Sequence, residues 1–501
     1  MTDSESPGLG DVSQDAVVVV PGIMGSALRD TCTGKQLWGI AESGWYVRAL
    51  APAGPGLTPL HLTAAERAGV DLLGSHPEAL LSQFGELQRH FSRVTPNQLL
   101  RFPAFLPDLA GVEPYTALLK MLHAPDISPV ASLAAVLEFP YDWRLPIHYN
   151  ARLLAFAAAR HLTRWRATEA PDRARRSRAH RDDRPAGLVL VTHSMGGLLA
   201  RALALAEVIE GTGLDAQDIR TTITMGTPFY GSVKSAVMLG TGRGAPIPLP
   251  HNRSRALAQT LPGVHDLLPT YRCVADADGV HKLTTAEVAA FGGDTTLFEM
   301  AGAFHARLDK VSPIGHRSVV GTGQPTLATL RVDGDDIEGS AAIEDSPGRM
   351  RGTDGDGTVW EDAAALSPTP EYCVQQHGAL ARDPDVIARV RSIILEPDSG
   401  RRPPLGEGGI GIDAPDVAAT DTRCWFTLTG IDNATAATAE IHLLTDGQEQ
   451  PLDTPRLEPD RDALRGSFTP PTAGIYRLNA YGSRAFPVTR LILGFDPDAD
   501  R

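Results

Sequence analysis

Apolar positions along the chain fall into a strand-then-helix rhythm. Ala16-Val-Val-Val-Val20 is wholly apolar and mostly β-branched, the pattern of a strand buried on both faces. Leu188-Val-Leu-Val predicts a second such strand. The apolar, alanine-rich stretch from Leu198 to Ile209 predicts a helix soon after it. Further strands are expected at Ser132 to Phe139, Arg220 to Met225 and His316 to Thr322. A helix from about His148 to Trp165 carries Leu154, Ala158, Leu162 and Trp165 on one face, and another runs from Asp383 to Leu395. Strands alternating with helices predict an α/β layer built on a mostly parallel sheet.

Four stretches break the rhythm. Residues 1–15 are polar and acidic and read as a disordered tail. Residues near 40–125 and 235–304 hold many prolines and short helical patches, and are expected to be insertions that form a lid over the core. Asp333 to Arg351 is acidic and glycine-rich, an exposed hairpin or loop. Pro397 to Gly409 reads as a linker. Beyond it the period changes. Short, partly alternating runs such as Arg423-Cys-Trp-Phe-Thr-Leu, Ala439-Glu-Ile-His-Leu-Leu and Gly474-Ile-Tyr-Arg-Leu-Asn-Ala, separated by turn residues, predict a small antiparallel, Ig-like β-sandwich over 410–501. The α/β domain is accordingly placed at 16–396.

Charge removes some function classes. A formal charge of −14 argues against nucleic acid and against an anionic membrane surface. The arginine-rich segment Arg164 to Arg184 is interrupted by Asp172, Asp182 and Asp183, and reads as a solvated helix end and loop. Cys32, Cys273, Cys373 and Cys424 are far apart, have no metal-ligand spacing, and are expected to be reduced core thiols. The N-terminus has no basic region, and its first apolar run is too short for a signal peptide core or a membrane span. The chain is therefore expected to be cytoplasmic.

Candidate chemistry begins at Leu188-Val-Leu-Val-Thr-His-Ser194-Met-Gly-Gly. Strand, sharp turn and helix with serine at the apex is the layout of a nucleophile elbow. Thr192 stands where that motif has glycine. A phosphate-binding loop is a poor rival, because no Gly-Lys-Ser/Thr follows. The strand at Ala16 runs into Pro21-Gly-Ile-Met-Gly-Ser26, a loop suited to supply one oxyanion N–H while the residue after the serine supplies the other. These are assigned to Ile23 and Met195. A serine nucleophile needs a base, and the base an orienting acid. Asp356 and His377 follow Ser194 in the α/β-hydrolase order, with Asp354 the alternative acid. His265, His305 and His316 precede the acid and are less well placed as bases, and His193 is read as structural. The Asp354-Gly-Asp-Gly run resembles half a calcium loop, but the other ligands and the closing glutamate of such a loop are missing. No metal or cofactor is called for.

Pro21-Gly-Ile-Met-Gly-Ser-Ala-Leu28, Phe139-Pro-Tyr-Asp-Trp-Arg-Leu145, His193-Ser-Met-Gly-Gly197, Gly226-Thr-Pro-Phe-Tyr-Gly-Ser232 and Gly355-Asp-Gly-Thr-Val359 together resemble the lecithin:cholesterol acyltransferase family, which includes lysosomal phospholipase A2 and the phospholipid:diacylglycerol acyltransferases. The resemblance covers about residues 15–395. It implies an α/β-hydrolase fold with cap insertions and an acyl-serine intermediate drawn from a lipid ester, with Ser194, Asp356 and His377 as the reacting trio. The acyl group would pass to water or to an alcohol. The expected partner is a lipid or other ester substrate, met through transient lipid-surface contact at the lid. A soluble carboxylesterase is the alternative, and an effector whose β-sandwich recognises a protein is another. Nothing in the sequence names a partner of that domain.

Overall fold

The computed structural model of the 501-residue chain describes residues 12–40, 57–106, 110–124, 135–177, 184–240, 250–276, 279–334, 336–346, 349–367, 369–395, 409–431, 433–445, 448–482 and 486–497. In chain order, the elements that carry the site are β1 (Ala16–Val20), β2 (Ser26–Asp30), β3 (Val94–Leu99), β4 (Val136–Glu138), α1 (Ile147–Arg166), β5 (Leu188–His193), α2 (Met195–Ala202), β6 (Ile219–Met225), β7 (His316–Thr322), β8 (Glu371–Val374) and α3 (Pro384–Leu395). Six of the strands form one sheet in the order β8-β7-β6-β5-β1-β4, and every neighbouring pair is parallel. β1 and β5 are buried along their whole length, which is why their sequences are continuous apolar runs rather than alternations. α1 buries Leu154, Ala158, Leu162 and Trp165 as one stripe.

The elbow helix differs from its expected span. It starts at Met195, immediately after the serine, and ends at Ala202. A tighter turn through Leu203 to Leu205 then separates it from a short helix at Ala206–Ile209. The disordered tail expected over 1–15 does not take in Val12 to Asp15. Residues 1–11 lie outside the described residues, but Val12 to Asp15 are buried. Asp15 anchors them, its carboxylate accepting from the Gly187 N–H and from Arg184 and Arg220 at 2.6 to 2.7 Å. Composition alone does not distinguish an acidic tail from an acidic anchor, because the arginine partners lie 169 and 205 residues away.

Asp15 carries a testable pH dependence. Burial opposes its ionised form, but Arg184, Arg220 and the Gly187 N–H prevail and hold its pKa below the ordinary 3.8. A carboxyl depressed in the folded state stabilises above its unfolded pKa, and that stabilisation is lost as pH falls through the folded value. Asp15→Asn is expected to cost about 2 kcal/mol at pH 7. Urea titrations should show the gap to wild type narrowing below pH 3.8.

The first insertion is tied down over its described part. β3 pairs antiparallel with β2, and the helix Ala64–Ser75 is closed by a capping box between Thr63 and Glu66. The second insertion holds the helices Val233–Gly240, Pro250–Ala258 and Thr295–Leu308 and the hairpin Arg272–Lys282. The acidic stretch after Asp333 belongs to two hairpins, Thr329–Ser340 and Ala342–Gly352. Cys273, Cys373 and Cys424 are buried, Cys32 is exposed, and no disulfide joins them. Among the described residues, no helix is long and apolar enough to cross a membrane.

The linker expected at 397–409 falls almost wholly outside the described residues. After it come β9 (Gly411–Asp413), β10 (Val417–Ala419), β11 (Cys424–Thr429), β12 (Thr438–Thr445), β13 (Gln448–Asp453), β14 (Glu458–Asp460), β15 (Ala463–Phe468), β16 (Gly474–Tyr481) and β17 (Val488–Phe495). They make two sheets, β9-β11-β15-β14 and β10-β17-β16-β12-β13. The expectation of a wholly antiparallel sandwich needs one correction: β10 runs parallel to β17. β16 and β17 are buried on both faces. Tyr476, Leu478 and Ile492 join the sandwich core, while Ile475, Leu491 and Leu493 pack into the core of the α/β domain. The two domains therefore share a buried apolar seam.

Candidate active site

Ser194 lies between β5 and α2 with φ of 52°, in the left-handed region that a residue with a side chain rarely occupies. The turn closes because Gly196 has no Cβ: one built there would sit 2.5 Å from the Pro21 carbonyl oxygen. Thr192 is accommodated because its side chain faces the sheet, where its hydroxyl donates to the Ile223 carbonyl at 2.9 Å.

The structure brings Ser194, His377 and Asp356 together. His377 Nε2 is 2.8 Å from Ser194 Oγ, and His377 Nδ1 is 2.7 Å from Asp356 Oδ2. All three are at most 5% exposed. The carboxylate requires a proton on Nδ1, which leaves the Nε2 lone pair for the serine hydroxyl. Asp356 is itself oriented. Its Oδ1 accepts from the Thr358 and Val359 N–H groups at 3.0 and 2.7 Å, and its carbonyl accepts from the His377 N–H at 2.8 Å. Asp354, the alternative acid, is exposed and pairs with Pro325. His265, His305 and His316 bond elsewhere, to the Leu261 carbonyl, the Asp266 carbonyl and Thr224.

Ile23 lies in the turn between β1 and β2, and Met195 is the first residue of α2. That turn presses on the serine, since a Cβ at Gly22 would meet Ser194 Cβ at 2.7 Å. The Gly22 N–H is already bonded to the Tyr115 hydroxyl at 3.0 Å. Tyr115 in turn lies 2.8 Å from His193 Nδ1, while His193 Nε2 donates to the His377 carbonyl at 2.9 Å. Burial, reinforced by neighbouring His377, pushes the His193 pKa down to about 3, so this imidazole stays neutral and serves as a strut. A continuous chain of hydrogen bonds thus links the β1 turn, Tyr115, the elbow and the His377 backbone.

A strained, partly desolvated serine within reach of an imidazole whose far nitrogen faces a carboxylate can lose its proton as it attacks a carbonyl carbon. No group of three or more His, Cys, Asp or Glu among the described residues is placed to hold a metal ion.

Residues 108–290 match the family model described as Lecithin:cholesterol acyltransferase. Over that stretch the chain is similar to the lecithin:cholesterol acyltransferase family. The LCAT-like match spans the Tyr141–Arg144 segment, the elbow and the Gly226–Ser232 turn, and stops short of Asp356 and His377. Its sheet of parallel strands with Ser194 at the β5–α2 turn is of the α/β-hydrolase kind. No curated protein matches the chain. Among solved structures, it is similar to the superoxide reductase (neelaredoxin) from Ignicoccus hospitalis, at 15% identity over 17% of this chain and 77% of that one. The TM-score of 0.13 makes that likeness too slight to bear on fold or function.

Sequence reasoning missed Tyr115 and Glu113. Tyr115 lies inside what reads as lid, and Glu113 accepts from Arg382 and, on the sandwich, from Arg477. Nothing in their local pattern marks either one, because their partners are remote in sequence.

Proposed function

We propose that this chain is a serine-dependent hydrolase or O-acyltransferase of lipid esters that works through an acyl-serine intermediate. The observation that carries the reading is the pair of contacts at His377, 2.8 Å to Ser194 Oγ and 2.7 Å to Asp356 Oδ2, with the serine on a strained elbow. His377 takes the serine proton as Oγ attacks the ester carbonyl, then passes it to the departing alcohol oxygen. Asp356 keeps the proton on Nδ1 and stabilises the imidazolium that forms. The Ile23 and Met195 N–H groups receive the oxyanion, helped by the positive end of α2. Water or an acceptor alcohol, deprotonated by the same imidazole, then releases the acyl group. The match to the lecithin:cholesterol acyltransferase model supports a lipid ester as the donor.

The test is turnover of p-nitrophenyl esters from short to long acyl chains, followed by phospholipid vesicles, for wild type and Ser194→Ala. Wild type should prefer long chains and label with a fluorophosphonate. Ser194→Ala should lose about 10³- to 10⁶-fold in kcat and fail to label. A Ser194→Ala variant as active as wild type would remove the serine mechanism. Preference for the shortest chains would make the protein a soluble esterase.

A further inference from the structure

The C-terminal β-sandwich reaches the candidate site through three buried glutamines. Gln375 and Gln376 directly precede His377, and Gln324 forms a backbone bridge with Asp356. All three are at most 7% exposed. Gln375 Nε2 donates to Asp383 at 3.0 Å and to the Pro487 carbonyl at 3.1 Å. Its Oε1 accepts from the N–H groups of Gln376 at 2.9 Å and Thr489 at 3.0 Å. Gln376 Nε2 donates to Gln324 Oε1 at 2.8 Å and to the Ile412 carbonyl at 3.1 Å, and its Oε1 accepts from Arg490 at 3.2 Å. Gln324 closes the set, donating to the Ile410 carbonyl at 3.3 Å and accepting from the Ile412 N–H at 2.8 Å. Both amide protons and both lone pairs of Gln375 are used, and every other partner named for Gln376 and Gln324 lies on the sandwich or on the other glutamine. On the far side of His377, Gly378 accepts from the N–H of Glu113, whose carboxylate is held by Arg477 of β16.

The sandwich therefore holds the side chains of the two residues before the histidine and reaches the residue after it through Glu113, and Gln324 extends these contacts to the acid. Buried side-chain amides thus tie the segment before His377 and the strand beside Asp356 to the sandwich. We infer that the β-sandwich holds the acid and base of the site in place, with Gln376 as the central positioning residue. This rests on the reading of Ser194, His377 and Asp356 as the reacting trio. Such a role explains why β16 and β17 are buried on both faces, with Val374, the last residue of β8, packed into the sandwich core. A displacement of the imidazole by about 1 Å is enough to cost about 100-fold in rate.

The experiment uses the full chain and the variants Gln376→Ala and Arg490→Gln, with Arg465→Ala on the remote, exposed side of the sandwich as control. Three quantities are read: kcat and KM on the best p-nitrophenyl ester, the low-field NMR resonance of the His377 Nδ1 proton (assigned by its loss in His377→Ala), and the melting temperature. Gln376→Ala should lose about 10- to 100-fold in kcat with KM within about twofold. The imidazole proton should shift or broaden, and Arg490→Gln should show the same change in weaker form. Arg465→Ala should change neither. If Gln376→Ala does not fold, Arg490→Gln alone decides. Unchanged kcat and an unmoved resonance in folded variants would overturn the inference. If wild type turns over no ester while the resonance still moves in Gln376→Ala, the positioning role stands and the esterase reading fails.

Discussion

Asp356→Asn is expected to leave the fold intact and lower kcat by about 10⁴. Two backbone donors decide the outcome. Oδ1 of Asp356 receives the Thr358 and Val359 N–H groups, so an amide at this position must keep its oxygen there. The NH₂ group then faces His377 Nδ1, which Asp356 Oδ2 now meets at 2.7 Å. An imidazole offered a donor at Nδ1 moves its proton to Nε2, and Nε2 can no longer accept from Ser194. KM should stay within about threefold, because the change acts through the tautomer of the imidazole. Circular dichroism and melting should match wild type, while fluorophosphonate labelling should slow in step with kcat. A loss under about tenfold would mean that Asp356 does not orient the base, and Asp354 could not replace it from its exposed position.

The residues of this site could be read from sequence where the chemistry is local. Ser194 announces itself through an apolar strand, two glycines and a helix between Leu188 and Ala202. Asp356 and His377 follow Ser194 in the expected chain order, which leaves Asp354 open as the acid. Thr192 departs from the glycine of the motif, and sequence does not say which way a side chain leaves the strand. Its hydroxyl faces β6 and satisfies a backbone carbonyl there. His193 could be set aside as structural, but not given its task, since its partners are Tyr115 and the carbonyl of residue 377.

Legibility fell wherever a residue's meaning lies across the fold. Val12 to Asp15 read as tail because Arg184 and Arg220 are remote in sequence. The region near 40–125 reads as a lid insertion from its prolines and short patches, and nothing local in it shows that β3 pairs with β2 or that Glu66 is buried against Arg144. The sandwich strands were visible through alternation, but the double burial of β16 and β17 was not. Neither was the use of Gln375 and Gln376. A pair of glutamines before a histidine has no periodicity and no charge, and acquires a role only when a second domain supplies matching donors and acceptors.

Arg144→Met should be the most destabilising change predicted for this chain, at about 3–5 kcal/mol. The guanidinium is completely buried and makes four hydrogen bonds to three partners: Nε and Nη2 to the Asp142 carboxylate at 2.9 and 2.7 Å, Nη2 to Glu66 at 2.8 Å and Nη1 to the Leu60 carbonyl at 3.1 Å. Methionine fills much of the volume but strands two buried carboxylates. Arg93 and Thr63 still reach Glu66, so the helix Ala64–Ser75 should loosen rather than detach. Burial alone would raise the Glu66 pKa, but Arg144 and Thr63 outweigh it and hold the value below 4.5. That contribution is present above pH 4.5 and fades as pH falls through the folded value, so the difference between wild type and Arg144→Met should narrow in acid. The double variant Arg144→Met, Glu66→Gln should lose less than the sum of the single changes, because its second substitution removes one of the stranded charges. Urea unfolding of all four proteins measures this coupling, and strict additivity would show that the two side chains do not support each other. Activity should fall along with stability. Tyr141 and Trp143, in the same turn as Arg144, hold Pro21 and Ser26 through hydrogen bonds of 3.0 and 3.2 Å, and those residues frame the loop that presses on Ser194.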